Sequence, residues 1–133
     1  MTACPGASGP VLGIGVDSVD IKEMARLCAD HEGSFARRTF SEAERTEAFV
    51  RADWASVLAG KFAVKEAVFK ALAWRTAEGF DLRVVETLED ENGRPHVSVD
   101  GALAPVLAEA GARDLLVSIT NERGLATAFV LAQ

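Results

Sequence analysis

After a short apolar run near the start, apolar residues fall at helical spacing over much of residues 19–74 and mostly at strand spacing beyond them. Val11 to Val16, VLGIGV, is a short apolar run with two glycines that stops at Asp17; it predicts a buried strand delivering a carboxylate at its C-terminal end. The glycines would let another backbone or a ligand come close. From Val19 to about Cys28, apolar residues at 21, 24, 27 and 28 predict an amphipathic helix. SFARRT at 34–39 reads as a short helical turn, and SEAE at 41–44 has the form of a capping box, so a further helix should start near Ser41.

After Arg51 or Asp53 a longer helix is predicted to run to about Trp74, its period interrupted only by Gly60. The period then becomes two. DLRVVETL at 81–88 and RPHVSV at 94–99 flank the turn DENG, predicting a hairpin. APVLAEAG at 104–111 has Pro105 near its start and Gly111 at its end, the asymmetry of a helix. DLLVSIT and LATAFVLA flank the turn NERG at 121–124 as a last pair of strands. This order of elements predicts an α+β fold with a mainly antiparallel sheet and a long buried helix.

Length and composition narrow the classes. The 133 residues suit one domain over 11–133, preceded by a disordered leader over the Pro/Gly-rich residues 1–10. That start lacks the features of a secretory signal, and no apolar stretch approaches the length of a membrane span. Cys4 and Cys28 form no metal-binding or disulfide pattern, which fits a reducing cytoplasm. A net charge of -6 argues against general nucleic-acid binding, but a local cluster of lysines can still hold a small anion.

Such a cluster lies in KFAVKEAVFKAL, residues 61–72. Glu66 and Lys70 are four apart and share a helix face; Lys61 and Lys65 share another. An exposed Glu-to-Lys pair is the ordinary reading, but the apolar residues around these charges predict burial, where charges are paired or bind something ionic. Asp17 is either the N-cap of the following helix or a ligand. A strand-end carboxylate, a helical carboxylate and nearby lysines together suit Mg²⁺ and a diphosphate. His31, in DHEG, reads as a solvated loop residue and His96 as structural; their spacing does not suit zinc.

Taken together, GIGVDSVDI at 13–21, RTFSEAE at 38–44, FAVKEAVFKAL at 62–72, NGRP at 92–95 and VSIT at 117–120 resemble the holo-acyl-carrier-protein synthase group of the 4'-phosphopantetheinyl transferases. The resemblance runs from about Val11 to Val130. It implies that family's α+β fold and a homotrimer with active sites at subunit boundaries. It also implies transfer of phosphopantetheine from coenzyme A to a serine of an apo acyl carrier protein in fatty-acid or polyketide synthesis, releasing adenosine 3',5'-bisphosphate.

The metal ligands implied are Asp17 and Glu66, with Mg²⁺ as the ion. Glu66, directly or through a metal-held water, becomes the base, and Lys70 meets the CoA phosphates and stabilises the departing group. Lys61 and Lys65, for the CoA 3'-phosphate or the carrier, join Asn92, Pro95 and Asn121 as cofactor-binding residues. The chain departs from the family pattern at Asn121, where relatives have His, and at Glu23, where they commonly carry Arg on the helix that meets an acidic carrier; Arg26 could substitute. It departs again in AWRTAEG, 73–79, where small residues are usual. The alternative reading is a catalytically weak trimeric module that binds CoA or the carrier.

Overall fold

The computed structural model describes residues 10–72 and 81–133. The expected leader, apart from Pro10, the Trp74 end of the long helix and the AWRTAEG loop lie outside them. Strand β1 (Gly13–Asp20) leads into helices α1 (Ile21–Leu27), α2 (Ser34–Thr39), α3 (Glu42–Phe49) and α4 (Trp54–Leu72). A 3₁₀ turn (Leu82–Val84), strands β2 (Thr87–Glu89) and β3 (Pro95–Val97), and helix α5 (Ala104–Ala110) follow, before β4 (Leu115–Glu122) and β5 (Leu125–Ala132). The fold is α+β: an antiparallel sheet in the order β1-β5-β4 covers α4, and β2 and β3 form a separate antiparallel hairpin.

Local chemistry accounts for most boundaries. The capping box at α3 is complete: Ser41 Oγ accepts from Glu44 N, and Ser41 N donates to Glu44 Oε1. Helix α5 ends at Gly111, whose φ of 77° an L side chain adopts only with strain. The β4–β5 turn is tighter than NERG suggests. Its two central residues, Arg123 (φ 54°) and Gly124 (φ 78°), are both left-handed, as a two-residue hairpin turn requires.

Two boundaries differ from expectation. β1 continues past Asp17 to Asp20, because Ser18, Val19 and Asp20 pair with Thr127, Ala126 and Leu125 of β5. None of residues 81–86 is strand: Asp81 caps the 3₁₀ turn by accepting from Arg83 N, and the hairpin strands shrink to three residues each. His31 is not solvated either; it stacks on Phe49 with ring centroids 3.9 Å apart and meets the Trp54 ring edge-on.

The GIG glycines serve backbone approach. A Cβ on Gly15 would lie 1.8 Å from the carbonyl oxygen of Ala67, and one on Gly13 2.0 Å from that of Ala71. β1 therefore rests directly on the α4 backbone. We expect Gly15→Ala to destabilise the protein by at least about 3 kcal/mol, since backbone rather than a flexible side chain must move; chemical denaturation of the variant measures this. Cys28 is buried in the second core, between α4 and the three preceding helices, and burial pushes its thiol up to about 11, leaving it unreactive.

Candidate active site

The four charges of KFAVKEAVFKAL divide into two pairs with different fates. Lys61 and Lys65 are buried, at 3% and 0% exposure, and both point to α3 and the 82–87 segment. Lys65 Nζ donates to Glu44 Oε1 at 2.6 Å and to the carbonyls of Val85 (2.6 Å) and Leu82 (2.9 Å), which uses all three of its protons. Burial pushes Glu44 up and Lys65 down, and the charge of each partner offsets part of that shift. Lys65 thus has no donor left for a ligand and leaves the cofactor-binding set. Lys61 donates to Glu47 and, at 2.5 Å, to the carbonyl of Thr87.

Glu66 and Lys70 lie on another face of α4, toward β1. Lys70 Nζ donates to Asp17 Oδ1 at 3.0 Å and to the Val16 carbonyl at 3.1 Å. Its side chain is 53% exposed, while that of Asp17 is 19% exposed. Asp17 is not a helix N-cap: that role falls to Asp20, which accepts from Glu23 N at 3.0 Å. Burial first, and then the Asp17 charge, raise Glu66 above the usual carboxylate range, with Lys70 partly offsetting them. A chain of strand carboxylate, helix carboxylate and ammonium therefore lines the rim between β1 and α4.

These donors suit a hard divalent cation. Mg²⁺ commonly takes one or two protein carboxylates and fills its other positions with water and substrate phosphate. Among the described residues no cluster of three or more His, Cys, Asp or Glu gathers into a closed cage. The Asp17 charge acts on Glu66, so these two carboxylates are the residues that could hold such a cation.

A second feature opens on the Lys61 side of α4. A cavity of about 190 Å³ is lined by Lys61, Thr87, Leu88, Gly93, Pro95 and Ile119, among others. Among the described residues the Thr87 hydroxyl, in this wall, is buried without a hydrogen-bond partner, as at sites that a ligand or water completes. Of the remaining expected residues, Asn92 is exposed in the hairpin turn beside Gly93. Asn121 is exposed on β4, two residues after Ile119 and on the same face.

The two features do not form one pocket within a chain. Lys61 and Glu66 are five residues apart on α4, so their side chains diverge by roughly 140°. Asp17 is on the β1 edge of the sheet and Ile119 on the β4 edge, with β5 between. On α1, Arg26 does not stand free in place of a basic residue at 23: it forms a two-pronged pair with Glu23, Nε to Oε2 at 3.0 Å and Nη2 to Oε1, which lowers Glu23 below the usual carboxylate range.

The family model described as ACPS, 4'-phosphopantetheinyl transferase superfamily, matches residues 13–129. The chain belongs to the holo-acyl-carrier-protein synthase group of this superfamily, a family of transferases. It is 34% identical to the holo-acyl-carrier-protein synthase of Edwardsiella ictaluri over 123 residues, which cover 92% of this chain and 98% of that one. Identity to the synthase of Clavibacter michiganensis is 37%, with 92% and 96% coverage. The crystal structure of the Neisseria meningitidis synthase superposes with a TM-score of 0.79 at 30% identity, covering 93% of this chain and 99% of that one. A Chronobacterium ammoniagenes ACPS–CoA complex gives 0.75 at 30% identity, with 91% and 96% coverage.

Proposed function

We propose that this protein transfers the 4'-phosphopantetheine group of coenzyme A to a serine hydroxyl of an apo acyl carrier protein and releases adenosine 3',5'-bisphosphate. The observation that carries the reading is the Asp17–Lys70–Glu66 rim, with two carboxylates and an exposed ammonium brought together from β1 and α4. Asp17 and Glu66 would hold Mg²⁺, which when bound neutralises the diphosphate. The serine oxygen forms the new bond to phosphorus as the bond to the bridging oxygen of the nucleotide breaks. Glu66 accepts the serine proton, and Lys70 stabilises the charge left on the departing phosphate.

The nucleotide end of CoA is assigned to the cavity beside Lys61, Thr87 and Pro95, with the exposed Asn92, next to Gly93 of its wall, and Asn121, on the strand of Ile119, as further contacts. Since α4 separates this cavity from the carboxylate rim of the same chain, one complete site needs the cavity of one copy and the rim of its neighbour. A homotrimer closes such head-to-tail contacts. The apolar residues Ile14 (66% exposed) and Phe129 (54% exposed), with Val16, on the sheet face turned away from α4, are available for that contact. We place the reaction in the cytoplasm, on carriers of fatty-acid or polyketide synthesis.

A thermal shift with CoA, with and without Mg²⁺, tests the binding half of this reading: the melting temperature should rise most with both present. An unchanged melting temperature under all conditions would count against it. The raised Glu66 makes a separate prediction. A carboxyl whose folded pKa exceeds its unfolded value contributes stability that is complete below the unfolded value and is lost as pH rises through the folded one. At neutral pH without metal, Glu66→Gln should therefore raise the melting temperature by a few degrees, an advantage that disappears at pH 4.

A further inference from the structure

Among the described residues, no strand covers the second edge of β2. Leu88 pairs with His96 of β3, and the backbone bonds Asp90 N to Arg94 O and Ser98 N to Glu86 O also join the hairpin. The amides of Thr87 and Glu89 turn the other way, toward α3. There Glu44 Oε2 accepts from Thr87 N at 3.1 Å, and Glu47 Oε1 accepts from Glu89 N at 3.0 Å. The same two carboxylates bind Lys65 and Lys61 through Glu44 Oε1 and Glu47 Oε2, and Lys61 also takes the Thr87 carbonyl.

Two glutamates one turn apart on α3 and two lysines one turn apart on α4 thus stand in for a neighbouring strand. Ordinary edges are protected by charge or by covering; this one is hydrogen-bonded to side chains. The Glu44 rung is sealed in the core. The Glu47 rung is half-buried and adjoins the cavity, whose wall includes Lys61, Thr87, Leu88 and Glu89.

We propose that Glu47 is a positioning residue for CoA: by holding Lys61 and the Glu89 amide together, it sets the β2 wall against α4 at the width the nucleotide requires. The inference rests on the assignment of the nucleotide to this cavity. Glu47 touches neither the reacting phosphate nor the carboxylate rim, so its effect belongs to CoA binding and not to the chemical step.

The test is steady-state kinetics of the full-length Glu47→Ala and Glu47→Gln variants, together with calorimetric titration of CoA. Glu47→Ala should raise the CoA KM and Kd about tenfold, the effect of losing a pair of hydrogen bonds, with kcat within about twofold and the carrier KM unchanged. Glu47→Gln keeps an acceptor for the Glu89 amide and should recover most of the affinity. An unchanged CoA Kd in Glu47→Ala, whatever its melting temperature, would overturn the proposal, as would a loss confined to kcat. A wild-type protein that binds no CoA would overturn the functional reading and this one together, whereas binding by the wild type with no difference between variants would overturn only this one.

Discussion

Replacing Asp17 or Glu66 by alanine should lower carrier modification at least about a hundred- to a thousandfold while leaving the protein folded. Neither side chain supports the core. β1 is held to α4 by the contact of Gly13 and Gly15 with the helix backbone and to β5 by its ladder, so Asp17 can be lost without loosening the strand. Glu66→Ala removes a carboxylate that burial and Asp17 already disfavour. The variants should differ in one respect. Lys70 keeps Asp17 as its partner in Glu66→Ala, whereas in Asp17→Ala it retains only the Val16 carbonyl. Initial rates with an apo carrier, accompanied by thermal melts, check this; near wild-type rates in both variants would remove these residues from the site.

Lys65→Met should have the opposite profile, with a large loss of stability. The substitution leaves Glu44 as a charge in a fully buried position and takes donors from the carbonyls of Leu82 and Val85. Breaking a buried pair from one side costs about 3–5 kcal/mol, which for a domain of this size lowers the melting temperature by roughly 10–20 °C. Adding Glu44→Gln should restore only part of it: the amide removes the stranded charge, but the two carbonyls remain without their donor. Denaturation of the single and double variants measures this. A Lys65→Met protein that melts with the wild type would show that the pair does not secure the 81–87 segment to α4.

These two results separate what could be read in the sequence from what could not. Local signals were legible: the Ser41–Glu44 capping box, the Pro105-to-Gly111 helix and the final hairpin each depend on neighbours in the chain. The long helix and its four charges were legible too, including their division between two faces. Which face was covered was not, because that depends on Glu44 and Glu47, 21 and 14 residues from their lysines. A capping glutamate gave no sign that its carboxylate also meets Lys65 and Thr87. The i, i+3 spacing of Glu44 and Glu47 against the i, i+4 spacing of Lys61 and Lys65 was the available signal, and it needs an antiparallel helix pair to be meaningful.

The carboxylate rim came through because it is set by two motifs whose side chains need only β1 to lie on α4. The GIG glycines allow that contact by admitting the helix backbone. The boundaries that shifted have two causes: pairing with a distant strand extended β1 beyond Asp17, and a local aspartate cap at Asp81 curled residues first read as strand. Charge on α1 changed meaning through a local pair, since Arg26 is engaged by Glu23. That face presents a neutralised pair.

The transfer is tested most directly by intact-protein mass spectrometry of apo acyl carrier proteins incubated with this protein, CoA and Mg²⁺, with an EDTA control. A mass gain of one phosphopantetheine on a carrier serine is expected, dependent on the metal and absent with the Asp17→Ala or Glu66→Ala variant. No gain on any carrier, despite clear CoA binding, would contradict it and leave a CoA-binding module in place of a transferase.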